Sequence, residues 1–264
     1  MKIIAWIGKG PNQIALINKL NNHFDLVGVV YENRASKKIK SYGVIMFFKK
    51  ILSRLFFGFI PKTWKRLQNY YDDRFNIIDQ VPSLEIENIN DSKVQEFSSQ
   101  LGPDLIIVSG TGLIKGKNLS TKSKYGIINL HTGLSPYIKG GPNCTNWCLS
   151  TGETHLIGNT IMWIDEGIDS GNLILTEQTP LNGEEKFFDL HLKVMEHAHI
   201  LYINAVRKIE DYSAQNIPQE NIGEGSIYYN KNWGLKSQLK LLINLLRYKH
   251  LHNKNKHKKV KTIS

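Results

Sequence analysis

Residues 3–8, IIAWIG, form an apolar run that stops at a glycine, and the KGPNQIALINKL that follows sets Ile14, Leu16, Ile17 and Leu20 at helical spacing. A continuous apolar strand must be covered on both faces, so strand, glycine turn and amphipathic helix in immediate succession predict the start of a doubly wound α/β sheet. The pattern then repeats. LVGVVY at Leu26–Tyr31 reads as a second parallel strand, LEIENIN around Leu84–Asn90 as a third, Ser92–Gln100 as a helix and LIIVSG at Leu105–Gly110 as a strand. GIINLH at Gly126–His131 and NTIMWID at Asn159–Asp165 are expected as further strands. A long helix is expected from Lys186 to Ile209, where Phe187, Phe188, Leu190, Leu192, Val194, Met195, Ala198 and Leu201 cluster at three-to-four spacing. The fold class is α/β: a doubly wound, Rossmann-like, mostly parallel sheet with a basic helical insert and a helical C-terminal extension. We divide it into a body at 1–209, interrupted by the insert at 36–75, and an extension at 210–264 whose last dozen residues read as a disordered, solvated tail.

Charge is distributed unevenly. The formal net charge is +11, yet residues 36–66 carry nine Lys/Arg and no acid, and residues 229–264 carry ten and no acid. The remaining fifteen basic residues face all 23 acids, so the body is acidic at −8 and two arms hold the whole excess. Arms of this kind suit an anionic neighbour such as a membrane face or RNA. Within the insert, VIMFFKKILSRLFFGFIP is interrupted by Lys49, Lys50 and Arg54, short of the roughly 20 apolar residues needed to span a bilayer. It reads as an interfacial helix for peripheral membrane contact, or as a flap packed on the body or on the second subunit of a homodimer; general experience of apolar faces favours the flap. Two cysteines, Cys144 and Cys148, and the lack of a leader pattern point to a cytoplasmic chain without a disulfide framework. CTNWCL reads as a core helix, and His191, His197 and His199 as ordinary helix surface, so no metal site is expected.

Two segments carry chemistry: INLHTGLSPYIKGGPN from Ile128 and WIDEGIDSGNLI from Trp163. Asn129 and His131 lie two apart at the end of an expected strand, so both side chains take one face at the carboxyl edge, where open α/β sheets place their sites. Asp165 and Asp169 flank Gly167 in a loop, from which a carboxylate can reach the imidazole. A carboxylate-oriented His beside an amide donor is a kit for acyl transfer.

N-x-H followed by G-L-x-P and then D-x-G-x-D-x-G resembles the 10-formyltetrahydrofolate-dependent formyltransferase family, which includes glycinamide ribonucleotide transformylase, the N-terminal domain of methionyl-tRNA formyltransferase and the sugar N-formyltransferases. The resemblance covers roughly Met1–Leu181 apart from the insert, and includes GKGPN and PDLIIVSGTGLI. It implies a catalytic trio of Asn129, His131 and Asp169. An acceptor amine attacks the formyl carbon, Asn129 and His131 stabilise the tetrahedral intermediate, and Asp169 holds the imidazole and relays the ammonium proton through water. It also implies a pterin slot at Leu113, Ile114, Asp165, Gly167 and Asp169, with Leu113 standing where the ribonucleotide transformylase has an arginine.

For the acceptor, the Lys9–Gly10–Pro11–Asn12 turn opens a helix and offers backbone amides to a phosphate, so Lys9, Gly10 and Asn12 are candidate contacts; Tyr137, Asn143 and Trp147 are candidates for sugar or base. The region after Ile209 shows no five-strand barrel pattern, which weighs against methionyl-tRNA, and the basic arms have no use in the purine pathway. A nucleotide-linked amino sugar for surface polysaccharide is therefore the expected acceptor, with glycinamide ribonucleotide or methionyl-tRNA as alternatives. A non-catalytic RNA-binding or membrane-associated descendant is a further alternative; the intact trio argues against it, and nucleic acid is not the expected partner.

Overall fold

A computed structural model describes residues 1–34, 44–141 and 143–264, with backbone alone for 44–50. Residues 36–43 of the insert lie outside the described residues. Five strands, β1 (Lys2–Gly8), β2 (Asp25–Glu32), β3 (Ser83–Ile86), β4 (Leu105–Ser109) and β5 (Gly126–His131), pair in parallel. A short strand β6 (Ile138–Gly140) leaves the sheet, and β7 (Gly158–Trp163) and β8 (Leu173–Gln178) return antiparallel, giving the order β3-β2-β1-β4-β5-β7-β8. The doubly wound sheet expected from the apolar runs is therefore present. NTIMWID supplies its strand in antiparallel sense. The chain reverses direction across the sheet between β1 and β4, and a crevice forms beside that point at the carboxyl ends of the strands.

Helices α1 (Pro11–Asn21), α2 (Val44–Phe57), α3 (Phe59–Asp72), α4 (Ser92–Leu101), α5 (Cys144–Thr151), α6 (Phe187–Glu210), α7 (Leu235–Leu246) and α8 (Tyr248–Asn255) cover the sheet and its flank. Leu16, Ile17 and Leu20 of α1 meet Ala198, Leu201 and Tyr202 of α6 over Ile3, Ile7 and Ile107. On the opposite face Val94 of α4 packs against Ile4, Trp6 and Ile106. Asp91 caps α4 by accepting the Lys93 N–H at 3.0 Å, and Gly102 ends it at φ 56°, a conformation that glycine adopts without a Cβ penalty.

Tyr202 is fully buried, and its hydroxyl reaches the end of the β4–β5 ladder. There it accepts the Val108 N–H at 2.8 Å and lies 3.0 Å from both the Val108 and the Ile128 carbonyl oxygens. His191 and His199, expected on the surface of this helix, are instead 7% and 1% exposed, because α1 and α3 cover α6 and Asn146 of α5 lies 3.1 Å from His191 Nε2. Burial pushes the His191 imidazole down to about 4; burial together with the neighbouring Lys19 ammonium pushes His199 to about 3.

The insert divides in two. α3 packs on α1 through the buried Leu67 and Tyr71, while α2 leans outward against α7. Past α8, Ile263 is buried and exchanges both backbone hydrogen bonds with Thr176 of β8, at 2.8 and 2.9 Å. The final residues thus differ from the expected solvated tail: one isoleucine within a Lys/Asn-rich run is enough to seat them on the open edge of the sheet.

Replacing Tyr202 by Phe leaves buried backbone groups of β4 and β5 without their partner. The expected cost is about 1–3 kcal/mol, read as a lower urea midpoint at unchanged slope; an unchanged midpoint would contradict this role.

Candidate active site

Side chains alternate along β5, so Ile128 and Leu130 enter the α1–α6 core while Asn129 and His131 face a crevice of about 510 Å³. His131 is 8% exposed, and both of its ring nitrogens are engaged. Nδ1 lies 3.3 Å from Asp169 Oδ2, and Nε2 lies 3.1 Å from the Ile138 carbonyl, with Cys144 Sγ at 3.5 Å. Burial alone would lower the imidazole pKa. The Asp169 carboxylate, Cys144 and the Ile138 carbonyl outweigh it, and the net result is an imidazole raised from 6.5 to about 9. At neutral pH His131 is therefore held as an imidazolium, with Nε2–H donated to the Ile138 carbonyl and Nδ1 paired with the Asp169 carboxylate, a positive charge beneath the crevice floor. The Asn129 amide, half-buried, opens on the same crevice.

Asp169 has φ 49°, a left-handed conformation in which Asp is tolerated better than most residues. Its Oδ2 also accepts the Gly140 N–H at 3.1 Å. Both backbone groups that hold the His–Asp pair, the Ile138 carbonyl and the Gly140 amide, belong to β6, which pairs in parallel with β9 (Ser226–Tyr228). Gln219, in the turn before β9, donates from Nε2 to the Asp169 and Gly171 carbonyls at 2.8 and 2.9 Å. The residues after 209 therefore build part of the site and are continuous with the body.

The opposite wall is gathered by Glu32, the acid that ends β2. Its carboxylate, buried at 4% exposure, accepts the Ile89 N–H at 2.8 Å and the Gly112 N–H at 2.6 Å, and pairs with Arg34 Nε at 3.2 Å. Arg34 in turn donates to the Gly110 carbonyl at 2.8 Å. One charge thus draws together the loops after β2, β3 and β4. Asp165 Oδ1 accepts the Gly167 N–H and the Ser170 hydroxyl, so this carboxylate shapes its own loop. Leu113 and Ile168 stand 39% and 47% exposed on facing loops, two apolar jaws suited to a flat ring.

The structure brings Asn129, His131, Asp169, Leu113, Ile114, Asp165 and Gly167 to one crevice. Ile114 is 3% exposed, so little beyond its backbone can meet a ligand. The six expected acceptor contacts do not line this crevice. Lys9 pairs with Glu85, Gly10 begins α1, and Asn12 is buried with Nδ2 3.7 Å from Met195 Sδ. The Tyr137 hydroxyl accepts the Lys261 N–H at 3.1 Å, and Trp147 stacks on Tyr228 and donates to the Gly141 carbonyl. Asn143 caps α5 and lines a second, more apolar cavity of about 670 Å³ with Phe57, Trp64 and Trp233. Arg34, Glu32, Gln219 and Asn230, which also lines the crevice, were not legible as site residues. Only Glu32 left a signal, as an acid at the end of an apolar strand.

A protein-family model described as formyl transferase matches residues 65–206. A curated methionyl-tRNA formyltransferase of Syntrophus aciditrophicus is 38% identical over 142 residues, covering 54% of this chain and 45% of that protein. Another, from Clostridium tetani, is 32% identical over 157 residues, covering 56% and 49%. The chain spans about half the length of the curated relatives it matches. Among solved structures, an N-formyltransferase from Helicobacter canadensis, in complex with folinic acid and dTDP-3-aminofucose, shares the fold with a TM-score of 0.56 at 17% identity over 93% of this chain and 81% of that one. A 4-N formyltransferase from Francisella tularensis gives 0.56 at 18% identity over 92% and 87%.

Followed by NMR, the His131 imidazole should keep its proton until about pH 9. Its pairing contributes stability that is fully present below the unfolded-state value of 6.5 and is lost as pH rises through about 9. Asp169→Asn removes the main raising charge and should bring the midpoint down; a midpoint unmoved by that change would show that the pair does not set the charge. Gln219→Ala should leave the sheet intact while loosening the Asp169 loop, read as faster amide exchange at Ser170 and Gly171.

Proposed function

The chain belongs to the formyl transferase family, and from that premise we propose that it moves the formyl group of 10-formyltetrahydrofolate to the primary amine of a nucleotide-linked amino sugar. The observation that carries this reading is the convergence of the Asn129 amide, the His131 imidazolium and the Asp169 carboxylate on one crevice whose facing loops present Leu113 and Ile168. The apolar jaws fit a pterin ring, and the backbone of the 110–114 and 165–171 loops supplies polar groups at its edge.

As the amine nitrogen bonds to the formyl carbon, negative charge develops on the formyl oxygen. Asn129 donates an amide N–H to that oxygen, and the imidazolium beside it offers a fixed opposite charge. The new ammonium must lose a proton, and the leaving nitrogen of the donor must gain one as its bond to carbon breaks. Asp169 lines the crevice, pairs with His131 and accepts from Gly140, so it is placed to pass that proton on, through water.

The amino-sugar acceptor is supported by two features. The likeness to the Helicobacter canadensis N-formyltransferase, solved with dTDP-3-aminofucose, extends over 93% of this chain, which takes in most of the residues after 209. The segment after α6 forms β9 and then the helices α7 and α8. Methionyl-tRNA is the second reading, favoured by the curated relatives.

The test is formyl transfer from 10-formyltetrahydrofolate to a panel of nucleotide-linked 3-amino and 4-amino sugars, glycinamide ribonucleotide and methionyl-tRNA. Turnover of one amino sugar is expected, abolished by His131→Ala and lowered by about 10²–10³ in kcat by Asn129→Ala. Turnover of methionyl-tRNA or the ribonucleotide alone would overturn the acceptor, and an active His131→Ala enzyme would overturn the mechanism.

A further inference from the structure

The two acid-free arms meet in space. α2 lies against α7, with the Ser53 hydroxyl donating to Gln238 Oε1 at 2.9 Å. Large apolar side chains stand unburied along both helices: Leu52, Leu55 and Phe56 on α2 at 44%, 74% and 64% exposure, and Leu239, Ile243 and Leu246 on α7 at 50%, 44% and 81%. Each set recurs at three- and four-residue spacing, so each helix carries one continuous stripe. Exposed cations accompany them, Arg54 on α2, Lys236 and Lys240 on α7 and Arg247 at its end, and none forms an ion pair with a described residue.

The chemistry of this face narrows its occupant. A second copy seated on it by a two-fold axis would set cation against cation, because residues 36–66 and 229–264 contain no acid to answer them. A nucleic-acid backbone would match the cations but leave Leu55, Phe56 and Leu246 in water. An anionic lipid surface satisfies both, taking the apolar stripes at the level of the acyl boundary and the cations at the headgroups. We propose that the paired α2–α7 face docks the protein peripherally on an anionic bilayer surface. Among the described residues no helix is long and apolar enough to cross a membrane; the exposed stripes run along the helices, which sets the contact in the plane of the interface. α7 packs on α5, whose Cys144 touches His131, so the docking face is one helix layer behind the catalytic imidazole. The inference is independent of the acceptor.

The test is co-sedimentation of the full chain with phosphatidylcholine vesicles with and without phosphatidylglycerol. Binding to the anionic vesicles is expected, with little to phosphatidylcholine alone. Leu55→Asp combined with Leu246→Asp, and separately Lys236→Glu combined with Lys240→Glu, should each weaken it at least about tenfold. All four positions are exposed, so thermal melting should match the parent chain and report that folding is intact. Absence of binding to anionic vesicles would overturn the proposal. So would binding that the aspartate variants leave unchanged while an RNA oligonucleotide competes it away, which would assign the face to a phosphate backbone. A concentration-dependent dimer abolished by Leu55→Asp would assign it to a second copy instead.

Discussion

Tyr202 reaches from α6 to the end of the ladder between two parallel strands, and the rest of the site depends on where that ladder stops. The hydroxyl accepts the Val108 N–H and lies within hydrogen-bond distance of the Val108 and Ile128 carbonyls, deep in the core. Immediately beyond it, β4 runs into the 110–114 loop and β5 into Asn129 and His131. The crevice begins where the phenol ends the sheet. The Asn129 side chain lines the crevice at that point.

Around this opening the protein places its charges by backbone contact more than by ion pairing. His131 and Asp169 hold one another, and each is also held by a main-chain group of β6, one strand turning its carbonyl to the imidazole and its amide to the carboxylate. Backbone dipoles in a strand cannot rotate away as a side chain can, so the pair is preorganised before any ligand arrives. Glu32 does the corresponding service on the other wall, where a single carboxylate ties three loops and keeps the Leu113 jaw in place opposite Ile168.

What the sequence made legible was local. The alternation of apolar runs and amphipathic helices is a property of a few consecutive residues, and so is the two-residue spacing that sends Asn129 and His131 to one face. The DEGIDSG loop announces itself by its glycines. Glu32 and Gln219 act on residues 48 to 80 positions away, and nothing beside Gln219 or Asn230 in the chain distinguishes them from ordinary surface groups. The same blindness misread Tyr137 and Trp147, whose ring and hydroxyl are taken up by Tyr228 and Lys261, contacts from the far end of the chain. It misread His191 and His199 too, because helical periodicity cannot say how many faces of α6 are covered.

The β6–β9 ribbon has a consequence for how the molecule comes together. Its paired residues, Ile138 and Ser226, are 88 positions apart, whereas β1, α1 and β2 associate within a few tens of residues. Contacts that close long loops form after those that close short ones. The central pairing of β1 with β4 reaches as far, from Ile3 to Leu105, so the core of the sheet and the support of the catalytic pair are both completed by contacts of long reach. A substitution that weakens β9 therefore reaches the His131–Asp169 pair through β6, from a part of the chain that touches neither residue's own strand or loop in sequence.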